Sequence, residues 1–459
     1  MGALSLPHMA TPNVLDQIVK AYDIRGTYPD QLDAELARSL GAAFARFVLD
    51  GPGADRVLVA RDMRPSGPEL VDAFSDGVLG QGLDVVDLGL ASTDMIYFAA
   101  GHLDAPGAMF TASHNPARYN GIKLCLAGAS PVGQDTGLDE IKRLATAPPP
   151  PVATRGSRTQ LDLMDEFVAH VRSFVDVGAF RPLKVVADTA NGMGGLVVPR
   201  VFDGLPFDLE VMYPELDGTF PNHPADPIQV ENLADLRARV VEVGADIGLA
   251  FDGDADRVFL VDERGEPVSG SLTTALIAIG VLEKHPGAPI IHNLICSRTV
   301  PEVITEHGGT PVRSRVGHSF IKQLMAETGA AFGGEHSAHY YFRDNWRADS
   351  GLIASLVVLE RLCRAGTTLS ELLAPLDRYA ASGEINTVVA DPQVVIERIA
   401  AAYAHLPQDR LDGLTVDGGD WWFNLRPSNT EPLLRLNLEA PTRAECDARV
   451  AEVRALLTD

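Results

Sequence analysis

Short apolar, β-branched runs alternate with segments of helical period over most of the chain. Three junctions share one plan: "RVLVARDMRPSG", "LKVVADTANGMGG" and "APIIHNLICSRTV". Each is a brief strand-like run, then a polar loop, then residues of helical spacing. This is the βα unit of a mostly parallel sheet, whose polar side chains gather at the carboxyl ends of the strands. The three recur at intervals of roughly 100 residues, a spacing that predicts three related α/β domains with mixed, mostly parallel sheets. The last segment has another rhythm. "EINTVVAD" reads as a strand, and Asp391-Pro392 as an N-cap followed by proline at the first helical position. Two further strands flank "RPSNTEP", and Thr442 to Glu445 forms a capping box for a final helix. A smaller α+β domain is expected there.

Breaks in the pattern place the boundaries. Four consecutive prolines in "ATAPPPPVA", residues 145–153, cannot continue a helix. A charged turn at Gly265 closes a second segment, and a third ends after the helical "TLSELLAPLDRYA". The expected domains are residues 1–153, 154–265, 266–376 and 377–459.

Length agrees with this division, since 459 residues exceed what one hydrophobic core supports. The formal net charge of −24 argues against nucleic acid or an anionic membrane as partner. It leaves room for a small anionic substrate in a locally positive cleft. Cys125, Cys296, Cys363 and Cys446 lie far apart, which fits a reducing cytoplasm better than a disulfide framework or a zinc site. No apolar run reaches spanning length. The leader "MGALSLPHMATPNVL" lacks a basic start and has Leu6 where myristoylation needs Ser or Thr, so it reads as disordered.

Candidate chemistry sits in the loops. In "IGLAFDGDADRVFLVD", Asp252, Asp254 and Asp256 alternate with small residues directly after an apolar strand. Three carboxylates so close repel one another, and a hard cation would remove the conflict. An EF-hand is excluded by Arg257 at the position that needs glycine, and by the flanking strands. A magnesium site open to a phosphate fits better, with Arg257 as a donor to that phosphate. In "FTASHNPARYNGIKL", Ser113 stands between an apolar run and a turn, with His114 beside it and Lys123 ten residues on. A turn needs only Asn115 and Pro116. Ser113 could carry a phosphoryl group if nearby charges stabilise it. "NLRPSNTEP" offers Arg426, Ser428, Asn429 and Thr430 as an anion clamp. "GGEHSAHYYF" sets Glu335, Ser337 and His339 at alternate positions, read as a loop entering a strand with all three pointing one way. The first two suit sugar hydroxyls, and His339 suits proton transfer. "RVGHSFIK" adds His318 and "CSRTV" adds Arg298.

Taken in order, "TASHNP", "DGDADR", "GEHSAH" and "RPSNTEP" resemble the α-D-phosphohexomutase superfamily, the phosphoglucomutase and phosphomannomutase relatives. The resemblance runs from "YDIRG" at Tyr22 to the final helix. It implies four domains around a central cleft, three α/β and one TATA-binding-protein-like α+β. It implies an isomerase that interconverts mannose 6-phosphate and mannose 1-phosphate, and the glucose phosphates too, through a phosphoserine enzyme and a hexose 1,6-bisphosphate. By this resemblance Ser113 carries the phosphoryl group and joins Asp252, Asp254 and Asp256 around Mg2+. Arg25, Lys123, Arg257 and His339 serve catalysis. Tyr22, Arg298, His318, Glu335, Ser337, Arg426, Ser428, Asn429 and Thr430 bind substrate. A cytoplasmic monomer or weak homodimer is expected. "GEHSAHYYF" looks most like phosphomannomutases of actinobacterial type, and His336 stands where phosphoglucosamine mutases usually carry Gln. The alternatives are a phosphoglucosamine mutase or a magnesium-dependent sugar phosphatase. A haloacid-dehalogenase-type reading of Asp252–Asp254 would leave Ser113 and the clamp without a role.

Overall fold

The computed structural model describes residues 12–427 and 433–457. The chain forms two compact units: residues up to Val268 together with His339–Leu369, and Ser269–Ala338 together with Ser370 onward.

In the first unit, one sheet has the order Ile24–Thr27, Tyr119–Leu126, Gly107–Phe110, Arg56–Arg61, Asp84–Leu90, Arg158–Gln160. The last four are parallel to one another, and Tyr119–Leu126 runs against its neighbours. Strand Arg56–Arg61 sends Val57 and Val59 into a core shared with helices Ala34–Asp50, Gly67–Gly80 and Leu138–Thr146. Its alternate residues Leu58 and Ala60 are also fully buried, as expected of a sheet covered on both faces. Helices Ala34–Asp50 and Gly67–Gly80 touch backbone to backbone. A Cβ on Gly77 would lie 2.1 Å from the Arg38 carbonyl oxygen, and one on Gly41 2.1 Å from that of Phe74.

The second sheet has the order Pro267–Val268, Val258–Asp262, Ile247–Phe251, Leu183–Asp188, Phe207–Met212, the last three parallel. Helix Gly351–Ala365 belongs to the same unit. Ser350 caps it, accepting the amide of Ile353, and Gly351 is pressed against the Arg257 carbonyl.

The second unit holds strand Pro289–Asn293, parallel to both Thr310–Ser314 and Phe332–Gly334 on its two sides. It also holds an antiparallel sheet in the order Ala380–Val388, Leu433–Ala440, Trp422–Pro427, Leu414–Asp417, Gln408–Asp409. Leu434, Leu436 and Leu438 alternate into a core with helices Pro392–Ala402 and Arg443–Leu457. Asp391 caps the first, accepting from Gln393 and Val394, and Thr442 caps the second, accepting from Glu445.

One plan is used three times. In each α/β sheet the first of the parallel strands lies between the second and the third: Arg56–Arg61, Leu183–Asp188 and Pro289–Asn293 hold that place. The order reverses between the first and third strands, and loops leaving that gap diverge to make a crevice. The loops after Phe110, after Phe251 and after Gly334 are the ones that carry Ser113, the three aspartates and Glu335.

Two local expectations change. The helix in "TLSELLAPLDRYA" spans only Leu369–Leu373, because Pro375 follows at once. Residues 335–339 form a turn between strands Phe332–Gly334 and Tyr340–Phe342, with Ala338 at φ 65°, so the alternation of a strand does not govern them. No helix among the described residues is long and apolar enough to cross a membrane.

Gly77 gives a test of sign. A mid-helix Gly→Ala change gains about 1 kcal/mol on propensity alone. Here Gly77→Ala is expected to lose about 1–3 kcal/mol, because the two backbones must separate. Urea unfolding of the variant decides it, and a gain in stability would show that the helices do not meet this closely.

Candidate active site

Ser113 lies in the hairpin loop between Gly107–Phe110 and Tyr119–Leu126, and adopts φ 49°, a left-handed conformation that β-carbons disfavour. The Thr111 hydroxyl accepts the Ser113 amide at 2.8 Å. Its carbonyl faces Arg64, a fully buried residue. Arg64 Nη2 donates to the carbonyls of Ser113 (2.8 Å) and Asn115 (2.7 Å), and Nη1 to those of Pro116 and Tyr119 (both 2.9 Å). Nε donates to Asp62 Oδ2 at 3.1 Å. The Ser113 hydroxyl points the other way, donating to Asp252 Oδ2 at 2.8 Å.

The loop Asp252–Arg257 starts at the carboxyl end of Ile247–Phe251. It meets the serine loop without a gap: a Cβ on Gly253 would stand 2.3 Å from the Ser113 carbonyl oxygen. All three aspartates are buried, and a carboxylate oxygen from each lies within 4.8 Å of the others. Two cations answer them. Lys123 Nζ bonds Asp254 Oδ2 (2.9 Å) and Asp256 Oδ2 (2.7 Å). Arg257 Nε bonds Asp252 Oδ2 at 3.0 Å. The Thr93 hydroxyl gives Asp254 Oδ2 a further bond at 2.6 Å. Three negative charges thus face two positive ones. Asp254 Oδ1 and Asp256 Oδ1 are buried with no hydrogen-bond partner.

Electrostatics follow this imbalance. Burial pushes the Asp252 carboxyl well up despite Arg257, and burial with Asp254 beside it raises Asp256. Burial also works against Asp254, but Lys123, Thr93 and Arg257 outweigh it and hold that carboxyl below its usual range. Desolvation works against the Lys123 charge too, but this half-buried ammonium is held charged by Asp254 and Asp256. Burial and the Arg257 charge keep His114 neutral, so its Nδ1 accepts from Arg257 Nη2, and it lies 3.2 Å from Ser113 Oγ. Small oxygen ligands, excess negative charge and two orphaned oxygens fit a hard divalent cation. His339 and Asp349 form a second cluster with Asp256, their ligand atoms also within 4.8 Å of one another. Arg25 Nη1 bonds the Asn115 side chain at 2.6 Å, at the edge of the serine loop, and Tyr22 is half-buried three residues before it.

Thr93 belongs to an acidic helix start. Asp94 is buried and accepts from Ser92, and from Ser350 at 2.6 Å. Burial raises its carboxyl to about 7, with Asp256 and Asp349 adding to the rise and the two serines opposing it.

The other expected residues lie in the second unit. Glu335 is buried, and Oε1 accepts from Asn293 Nδ2 (3.3 Å) and the Gly317 amide (3.2 Å). Ser337 is half-buried in the same turn. The compact units divide after Ala338, so His339 falls with the aspartates rather than with Glu335. Arg426 Nη2 bonds Glu384 at 3.1 Å, and His336 faces both, its basicity lowered by burial. Arg298 is bound to the antiparallel sheet through Asp417 (2.6 Å) and the Gly419 carbonyl, while its amide bonds Glu439 at 2.9 Å. Ser428, Asn429 and Thr430 lie outside the described residues, as does the side chain of His318 at the start of helix His318–Thr328. An open cavity of about 750 Å³ ends at Pro427, immediately before that loop, and is lined by Arg315, Arg410, Asp412 and Gly413.

Sequence reasoning missed Arg64, Thr93, Thr111, Asp349 and Arg315. Arg64 had a signal: "RDMRP" occupies the same place after its strand as the other loops do after theirs.

Known proteins share this order of domains. Residues 16–149, 165–265 and 269–379 match the α/β/α domains I, II and III of phosphoglucomutase/phosphomannomutase, and residues 384–456 match its C-terminal domain. A phosphomannomutase of Salmonella montevideo is 42% identical over 451 residues, 95% of this chain and 98% of that protein. The chain belongs to the phosphoglucomutase/phosphomannomutase family. It is an isomerase of the phosphohexomutase kind. A phosphohexose mutase of Xanthomonas campestris is 40% identical, covering 95% of this chain and 98% of its own. The crystal structure of a family protein from Burkholderia thailandensis superposes with a TM-score of 0.88 at 34% identity, covering 98% of each chain. The expected class, three related α/β domains followed by an α+β domain, stands.

Asp94 generates a pH test. A carboxyl raised from 3.8 to about 7 on folding contributes stability that is full below pH 4 and lost as pH rises to 7. Asp94→Asn is expected to remove that slope. The wild-type-minus-variant difference should shrink by roughly 2–4 kcal/mol between pH 4 and pH 8. Urea unfolding across the range reads it, and parallel curves would place the Asp94 carboxyl in its ordinary range.

Proposed function

We propose that the chain interconverts mannose 6-phosphate and mannose 1-phosphate, and the corresponding glucose phosphates, through phosphorylated Ser113. The observation that carries this reading is Ser113 Oγ, 2.8 Å from Asp252 inside a buried three-carboxylate loop. A hydroxyl hydrogen-bonded to a carboxylate is common. One held in a left-handed turn against an undercompensated cluster of aspartates is a built position for a group that changes charge.

Ser113 carries the phosphoryl group. A free hydroxyl of the hexose phosphate attacks phosphorus, a P–O(sugar) bond forms and the P–Oγ bond breaks, leaving its electron pair on Ser113. The hydroxyl proton passes to His339, which lies beside Asp256 and Asp349. The resulting hexose 1,6-bisphosphate turns, Ser113 Oγ attacks the other phosphorus, and His339 returns the proton to the sugar oxygen. Lys123 and Arg257, fixed charges in the same pocket, stabilise negative charge on Ser113 and on the transferring group. Arg25 guards the edge of that loop. Asp252, Asp254 and Asp256 would hold Mg2+ with the phosphoserine, and the cation would supply the positive charge these carboxylates lack.

Arg426 with Ser428, Asn429 and Thr430 holds the phosphate that is not transferred. Glu335 and Ser337 bind sugar hydroxyls; the Asn293 and Gly317 bonds fix the Glu335 carboxylate in place. Tyr22 and His318 complete the contacts. Arg298 can reach a phosphate by exchanging Asp417 for it, one anion for another.

Intact mass and peptide mapping of the purified protein should find phosphate on Ser113. Ser113→Ala should lower turnover by several powers of ten with the fold intact, since loss of one such step typically costs on the order of a hundredfold or more. An unphosphorylated Ser113 in an active enzyme would refute the assignment. EDTA should abolish activity and Mg2+ restore it. Asp254→Asn should weaken both metal binding and turnover, whereas full rate in metal-free buffer would remove the cation from the reaction.

A further inference from the structure

The proposed chemistry runs through one side of the serine loop; the opposite side is occupied by a residue it leaves unused. We propose that Arg64 is a positioning residue for phosphoryl transfer, holding Ser113 in its left-handed conformation by gathering the loop carbonyls onto one guanidinium. The proposal rests on Ser113 being the phosphoryl carrier.

A guanidinium has five N–H donors in a rigid planar fork, and all five are committed. Four go to the carbonyls of Ser113, Asn115, Pro116 and Tyr119, and the fifth to Asp62. Arg64 therefore has no donor left for a substrate. It acts through the backbone. Four carbonyls turned toward one buried point would otherwise repel and lack partners, and a loop freed from them would relax Ser113 out of φ 49°. Ser113 Oγ would then leave Asp252.

The second domain closes this assembly. The Phe220 ring packs 5.3 Å from the guanidinium carbon, and a Cβ on Gly218 would lie 2.7 Å from the Arg64 Cα. Asp62 completes the cradle by accepting the Arg64 amide at 3.0 Å as well as Nε. The guanidinium thus ties the loop of the first sheet to the domain that carries the aspartates. Lysine keeps the charge but offers at most three donors from a single point, so it cannot serve four carbonyls and Asp62 together.

Arg64→Lys separates positioning from mere stability. Expected is a fall in kcat on the order of a hundredfold with mannose 1-phosphate, and a KM within threefold of wild type, because Arg64 touches no substrate. Rephosphorylation of Ser113 by glucose 1,6-bisphosphate, followed by intact mass, should slow in parallel. Asp62→Asn, which keeps all four carbonyl bonds, should give the same pattern in weaker form and provides the reading if the lysine variant does not fold. A kcat within threefold of wild type in a folded variant overturns the proposal. So does a loss confined to KM, or a loss of activity that only follows the melting temperature. If the wild-type protein is itself inactive and Ser113 bears no phosphate, the mutase reading fails instead. An active, phosphorylated wild type with an unaffected Arg64→Lys defeats only the role of Arg64.

Discussion

Three aspartates buried within 4.8 Å of one another are the constraint on which the rest of the first unit depends. Such a cluster is costly to bury, and each neighbouring element answers part of that cost. Lys123 comes from the strand after the serine loop, Arg257 from the end of the aspartate loop, and Thr93 from a helix start in the first domain. What they leave over is a net negative charge and two oxygens without donors, the signature of a site shaped for a cation rather than one balanced within itself.

The repeated strand order explains why these groups can meet. A crevice forms between the first and third strands of each α/β sheet, and the chain places one chemical loop in each. The repeat supplies position, and local sequence supplies chemistry. Backbone strain marks the same places: Ser113, Ala255 and Ala338 all have positive φ, each within one of these loops. Close approach of backbones accounts for part of it, since Gly253 has no room for a side chain over the Ser113 carbonyl.

The division of labour between the compact units is sharper than the division into domains. Ser113, the aspartates, Lys123, Arg257 and His339 fall in one unit; Glu335, Ser337, Arg298 and Arg426 fall in the other. The residues proposed for phosphoryl transfer thus share one compact unit, while those proposed for sugar and phosphate recognition share the other. The cut passes through the short turn that sequence reads as a single motif, between Ala338 and His339.

The sequence by itself determined the three βα repeats, the α+β ending, the aspartate loop and Ser113. Their signals are local: strand period, caps, and charges too close to be left unanswered. The two helix caps of the last domain were legible for the same reason, since a cap is made within four residues. Only the tertiary structure decided which distant groups complete the site. Arg64 serves carbonyls 49 to 55 residues away, and Thr93 meets Asp254 across 161 residues. Ser350 reaches Asp94 across 256. A main-chain carbonyl looks the same at every position, so its need for a donor leaves no mark in the sequence. The loss of strand alternation over residues 335–339 was hidden for a related reason: a turn with Ala338 in the left-handed region breaks the period-2 rule, and that conformation is set by packing rather than by residue type.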